Sequence, residues 1–256
     1  MAAAKKSDQP PNKVAEQIME ERQLIADEGG RLYEYAGGYW RHVSDPVLHA
    51  WALAADGAYI SNSRRRSEIS SFIKARALMP FAWGRVADTE VPCANGVVDC
   101  VTGEIRPHRP EDYLERVIPF DYSPKAACDT WLRCLEDWFG DPAAPPPEER
   151  GEGQQPPEVL ALQEFFGYIV LSHAKFKKAL VLYGDSDCGK TVPLHVAKLL
   201  VGLDACCSLS VDHMDDPVRR AVIKGRLLNV VTELSVDAMV ADGGFKALVS
   251  TEEPIL

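Results

Sequence analysis

The stretch Lys178-Ala-Leu-Val-Leu-Tyr-Gly-Asp-Ser-Asp-Cys-Gly-Lys-Thr191 joins a short apolar run to a loop of the form G-x-x-x-x-G-K-T. The run, Ala179 to Tyr183, predicts a strand, and Val192, Val196, Leu199 and Leu200 predict a helix after the loop. Strand, glycine loop and helix in that order form the context in which such a loop holds a nucleotide. Its backbone N–H groups and the helix N-terminus would face the phosphates of ATP. The loop residues Gly184, Asp185, Ser186, Asp187, Cys188, Gly189, Lys190 and Thr191 are therefore the candidate nucleotide-binding residues. Lys190 is placed to reach the outer phosphates, and Thr191 to hold Mg²⁺ through its hydroxyl. The competing reading is a glycine turn that precedes Lys-Thr by chance.

A second candidate lies further on. Leu227 to Val231 predicts a buried parallel strand despite Asn229, and its end would deliver Glu233 to the sheet edge beside the glycine loop. An acid there binds the Mg²⁺ shell or polarises the attacking water. The alternative for Glu233 is an ordinary helix-capping glutamate.

Ahead of the loop the chain has a different texture. Val14, Ile18, Leu24 and Ile25 predict a first helix within 13–30, after a disordered lead over 1–12. The aromatic-rich segments on either side of Gly37-Gly38 read as a hairpin, its aromatics packing a small core rather than forming a base-stacking platform. Helices are expected over 46–56 and 64–79. The second carries Arg64, Arg65, Arg66, Lys74 and Arg76, a solvated face or, on a DNA-handling protein, a phosphate-contacting one. Asn95-Gly96 and Thr102-Gly103 mark turns between small antiparallel strands, with Asp99 as a turn or strand-edge acid. Trp131, Leu135, Trp138 and Phe139 recur at helical spacing over 128–139 and read as a core stripe. Residues 142–157 hold six prolines and no large apolar residue, which marks a linker or exposed insertion. A helix over 158–175 leads to the loop, and beyond it a short strand within 206–211 and a helix near 216–224 precede the Leu227–Val231 run.

The fold class expected is α/β. A leading helical and small-strand domain (13–141) is followed by a partial P-loop, AAA+-like parallel sheet with helices (158–256). Composition removes several alternatives. No apolar run of membrane-spanning length occurs, so no membrane partner is expected, and the N-terminal residues lack the apolar core of a signal peptide. Seven cysteines with no C-x-x-C pair argue against the usual zinc spacings, although Cys93, Cys100 and His108 make a conceivable set. Reduced thiols in the cytoplasm are the default expectation. A formal charge of −10 argues against nucleic acid coating many faces, but leaves a local basic channel open.

Several stretches together resemble the phage and plasmid primase–helicase family, whose motor is a superfamily 3 helicase. They are Tyr35-Ala-Gly-Gly-Tyr-Trp-Arg41, Asn95-Gly-Val-Val-Asp99, Thr102-Gly-Glu-Ile-Arg-Pro-His108, Tyr113 before Pro119, Trp131, Gly167 and the glycine loop. Gly225–Leu234 resembles the family's Walker B region, and Phe245–Thr251 the segment after it. The resemblance implies an ATP- and Mg²⁺-dependent DNA helicase of phage or plasmid replication. It would form a homo-oligomeric ring on single-stranded or forked DNA, with other replication proteins as further partners, in the host cytoplasm if phage-encoded. Lys190 and Thr191 match the phosphate- and Mg²⁺-binding positions, and Glu233 the Walker B acid. Three departures accompany it: the chain stops before the later sensor strand and arginine finger, Asp185 and Asp187 put like charge near phosphates, and Pro193 falls in the first turn of the helix. No primase portion is expected. A non-catalytic assembly or helicase-loading protein with a vestigial nucleotide site is the alternative, and a small-molecule P-loop kinase would need an acceptor lid for which no segment is evident.

Overall fold

The computed structural model describes residues 9–56, 63–140, 155–171 and 178–232. Residues 1–8 of the lead expected over 1–12, most of the Pro-rich segment, the end of the predicted 158–175 helix, Glu233 and Phe245–Thr251 lie outside the described residues, and Pro11 and Asn12 of that lead are helical instead. The chain divides into two compact units. The first comprises Met1–Val86 and Arg106–Val117, the second Ala87–Ile105 and Ile118–Leu256.

In the first unit, Pro10 and Pro11 open helix α1 (Pro11–Glu20), where a missing N–H costs nothing. Val14, Ala15 and Ile18 form its buried face. The helix predicted through residue 30 stops earlier, and Leu24–Ala26 is instead strand β1. The turn decides this. The Asp27 carboxylate accepts from Arg31 N–H at 2.8 Å, Gly30 adopts φ 74°, and Leu24 and Ile25 become rungs opposite Glu34 and Tyr33. Ladder pairing outweighs a helical spacing that Leu24 and Ile25 also satisfy.

Strand β2 (Leu32–Ala36) pairs with β1 and with β3 (Tyr39–Val43), giving the antiparallel order β1-β2-β3. Gly37 and Gly38 both have positive φ, 66° and 91°, as a two-residue hairpin turn that follows strand twist requires. Alternation splits the strand between two cores. Leu32 and Val43 pack with Val14, Ile18, Leu48, Ile69 and Ile73, contributed by α1, α2 (Asp45–Ala55) and α3 (Ser63–Ala77). Tyr33 and Trp40 pack on the opposite face with Ile25, Tyr35, Phe81, Trp83 and Tyr113. The expected aromatic core is thus formed.

The returning segment Arg106–Val117 is tied to this sheet by backbone bonds. Trp40 N–H donates to Leu114 C=O at 2.7 Å, and its indole N–H to Pro110 C=O at 2.9 Å. Asp112, almost fully buried, accepts from both terminal nitrogens of Arg106 and from Arg109 N–H. Two of the widely separated resemblance signals meet here. A Cβ on Gly38 would lie 2.4 Å from His108 Nδ1, so the glycine serves both the turn and the imidazole beside it.

The basic helix α3 is largely neutralised by its own neighbours. Arg65 grips both carboxylate oxygens of buried Asp56 at 2.8–2.9 Å. Arg76 pairs with Glu16, Lys74 with Asp45, and Arg64 with Glu68. The pairs to Asp56, Asp45 and Glu16 pin α3 against α1 and α2, while Arg64–Glu68 lies within α3 itself.

In the second unit, β4 (Glu90–Cys93) and β5 (Gly96–Asp99) form an antiparallel hairpin, with β6 (Ile105–Arg106) third in order. Asp99 is a turn acid, its Oδ1 accepting from Val101 and Thr102 N–H. Asn95 closes the other end by exchanging two hydrogen bonds with the Tyr122 backbone. Helices α4 (Asp129–Phe139), α5 (Pro157–Val170) and α6 (Thr191–Val201) follow. Strand β7 (Cys206–Cys207), the short helix α7 (Pro217–Arg220) and strand β8 (Leu228–Asn229) complete the described elements.

Strands β7 and β8 are parallel and only two residues long. The five-residue strand expected over 227–231 is shortened because the Asn229 side chain takes over from the ladder. Its amide donates to Leu209 C=O at 3.0 Å and accepts from Leu209 N–H at 2.7 Å. The strand predicted over Ala179–Tyr183 is not formed either. Its burial alternates as an extended segment's does, with Leu180 and Leu182 turned inward and Val181 and Tyr183 exposed, yet it makes no ladder. Leu180 and Leu182 line an apolar cavity of about 360 Å³ together with Leu228 and Val230. The fold is mixed α/β with helices and small sheets, and no P-loop parallel sheet is assembled among the described residues.

Candidate nucleotide site

The glycine loop is built by backbone conformation. Gly184 has φ 158°, Asp187 φ 60° and Gly189 φ 86°, so two left-handed residues curl the chain before α6 begins at Thr191. Asp187 tolerates that region better than most residues because a short polar side chain hydrogen-bonds locally. Among the described residues, the backbone N–H groups of Ser186, Asp187, Cys188 and Gly189 donate to no protein acceptor. Successive unpaired N–H groups in such a curl make a concavity suited to an anion.

Lys190 folds back over the loop. Its Nζ donates to Gly184 C=O at 2.9 Å, to Asp185 C=O, and to Cys188 Sγ at 3.3 Å. The ammonium thus holds the loop closed on itself, at the place where an outer phosphate would compete for it. Thr191 is exposed at the first helical position. Pro193, in the first turn of α6, is buried and removes only an N–H that lacks an intrahelical partner.

The loop borders a cavity of about 550 Å³, whose other walls include Leu182, Leu194, Met214, Asn229 and Thr232. That volume is of the size that small-molecule sites occupy. The chain beyond β8 therefore reaches the cavity at Thr232; Glu233 follows it outside the described residues. Asp185 and Asp187 are exposed in the loop, and Ser186 Oγ lies 3.5 Å from Asp187 Oδ2. Their negative charge opposes a triphosphate, although water screens it at the surface.

One contact at this site has no signature in residue spacing. The edge of the Trp138 indole, on α4, lies against Gly189: a Cβ there would sit 3.0 Å from Nε1 and 3.4 Å from Cε2. Spacing alone assigns Trp138 to a helix core stripe, and it does pack with Leu135, Val159 and Leu162. The same cluster takes in Leu180 from the segment that enters the loop.

No group of three or more His, Cys, Asp or Glu side chains among the described residues is arranged to hold a metal ion. Burial pushes the thiols of Cys93, Cys100, Cys206 and Cys207 up from the usual cysteine value.

Residues 15–140 match the family model described as D5 N terminal like. This part of the chain is an N-terminal domain related to the D5-type phage and plasmid primase–helicase family. The D5-N-like segment runs from α1 to the end of α4, so it contains the β1-β2-β3 sheet, the Gly38–His108 contact and Trp138. Its match supports an association with phage or plasmid DNA replication. The glycine loop lies after it. No helix of the described residues is long and apolar enough to cross a membrane.

Proposed function

We propose that the chain binds Mg-ATP in the loop Gly184–Thr191 and serves phage or plasmid replication as an ATP-dependent DNA helicase. The observation that carries this is the row of N–H groups at Ser186–Gly189 without an acceptor among the described residues, beside the Lys190 ammonium and the start of α6. The D5-N-like segment ahead of it supplies the replication context. Gly184 and Gly189 shape the loop, the N–H groups donate to the phosphate oxygens, and Lys190 exchanges its carbonyl contacts for the outer phosphate. Thr191, with Glu233 as the proposed acid, would hold Mg²⁺, which when bound offsets charge on the phosphates and helps position them. The residues named act by positioning and by electrostatics. DNA in single-stranded or forked form, a homo-oligomeric ring and other replication proteins are the partners this reading carries.

Calorimetric titration with Mg-ATP tests it. Losing a charge-assisted contact of the Lys190 kind costs about 1.5–3 kcal/mol, so Lys190→Ala weakens binding by about 10- to 100-fold. An unchanged affinity in Lys190→Ala defeats the assignment.

Asp185 and Asp187 favour a second reading, a non-catalytic assembly or loading protein with a vestigial site. In that case Mg-ATP does not bind up to millimolar concentration, and Asp185→Asn with Asp187→Asn creates binding that the parent chain lacks.

A further inference from the structure

The Trp138 indole touches the loop at Gly189, and its aromatic cluster includes Leu180, four residues before the loop begins. The cluster that α4 shares with α5 therefore braces the chain before the loop as well as at Gly189. Trp131 extends this brace, meeting Trp138 edge-on at 5.8 Å and stacking on Phe166 of α5 at 5.5 Å. Among the described residues, the Trp138 indole N–H makes no hydrogen bond, although it is the ring atom nearest Gly189. A rigid aromatic plane against the one residue whose φ of 86° bends the chain into α6 restricts how that bend relaxes.

We propose that Trp138 is a positioning residue for the phosphate loop, through which the last helix of the D5-N-like segment senses whether the loop holds a nucleoside triphosphate. The inference rests on the nucleotide reading of the loop. When phosphate oxygens draw the Ser186–Gly189 N–H groups together and Lys190 leaves its carbonyls, Gly189 shifts against the indole. The displacement passes to α4, which belongs to a segment otherwise remote in sequence from the loop. Trp138 touches no substrate in this scheme; it acts through Gly189.

The test uses the full chain carrying 5-fluorotryptophan, whose five tryptophans give separate fluorine resonances. The resonance absent from Trp138→Phe belongs to Trp138. Titration with Mg²⁺ and a non-hydrolysable ATP analogue is followed in parallel by calorimetry. The expected result is a Trp138 resonance that moves with the calorimetric midpoint while those of Trp40, Trp51 and Trp83 stay in place. Trp138→Phe, which keeps a flat ring, weakens binding only a few-fold and Trp138→Leu by about tenfold, since small displacements of positioned groups are costly. If the analogue binds the parent chain and the Trp138 resonance does not move, or both variants bind as the parent does, the inference is overturned and the nucleotide site stands. Absence of calorimetric binding in the parent overturns the nucleotide reading, and this inference with it. Should Trp138→Leu fail to fold, the parent's fluorine titration and Trp138→Phe still decide.

Discussion

Individual residues in the glycine loop carry two demands, shape and charge, and chemical probes separate them. Cys188 is exposed beside Lys190, whereas Cys93 is buried and Cys206 and Cys207 are half-buried with thiols pushed up by desolvation. Brief treatment with iodoacetamide at pH 8 therefore alkylates the exposed Cys128 and Cys188 ahead of those three. Saturating Mg-ATP slows labelling at Cys188 alone, by at least about fivefold if the phosphates occupy the loop. Peptide mass spectrometry reads each site, and equal labelling of Cys188 with and without nucleotide counts against occupancy of the loop. The loop pattern itself was legible from Gly184, Gly189, Lys190 and Thr191. Its neighbour Trp138 was not, because helical spacing reports which face of α4 is buried and says nothing about what a distant chain segment lays against it.

At the level of helices and strands, each element tests a different force. In α5, Gly167 is exposed, and nothing lies within 4 Å of where its Cβ would stand. Gly167→Ala should raise stability by about 0.5–1 kcal/mol, the usual gain from removing glycine's unfolded-state freedom in a helix. A denaturant midpoint that falls instead would show that the open space is used by something the helix meets in solution. In the first unit, Asp56 has a fully buried carboxylate whose two oxygens face Arg65. Asp56→Ala leaves the partly buried guanidinium without that partner and should cost about 3 kcal/mol, measured by urea unfolding. A loss below about 1 kcal/mol would put this bridge in the class of ordinary surface pairs. Helices α2, α3 and α4 follow from apolar spacing; α6 lies where the spacing predicts it, but it buries Pro193, Ala197 and Val201 while Val192 and Leu199 of the expected apolar set are exposed. Strands were less legible. Leu24–Ala26 satisfied helical spacing until the Asp27–Arg31 turn enlisted it, and Asn229 shortened β8 with a side-chain amide that hydropathy ranks only as a polar interruption. Ala179–Tyr183 has a strand's composition, but a strand is completed by its neighbour's edge, and here the segment makes no ladder.

On the scale of the whole chain, acid excess outside the loop is put to structural use. The Lys13 ammonium beside Glu16, and the Lys74 ammonium beside Asp45, hold those carboxyls below the usual carboxylate range. A depressed folded-state value means that the charged form is favoured in the native state. The contribution is therefore present above the unfolded carboxylate value, near 4, and is lost as pH falls through the lower folded values. Thermal unfolding followed by far-ultraviolet circular dichroism should be insensitive to pH between about 6 and 8 on this account, with the midpoint dropping below about pH 4. In the Glu16→Gln, Asp45→Asn double variant the acid drop should be shallower than in the parent. Identical pH profiles would mean that the bridges between α1, α2 and α3 carry no weight.

Trp40 finds both of its long-range hydrogen-bond partners at Pro110 and Leu114, on a segment made after residues 87–105 have already entered the other unit. A ribosome emits these residues in strict order. The nascent first unit must therefore wait, its second aromatic core uncovered, until the chain has issued its return through Val117 and some length more to clear the exit tunnel. Translation speed across this interval, and any chaperone that shelters Tyr33, Trp40 and Phe81 meanwhile, thus bear on yield in a cell in a way that refolding from denaturant, where the whole chain is present at once, would not reveal.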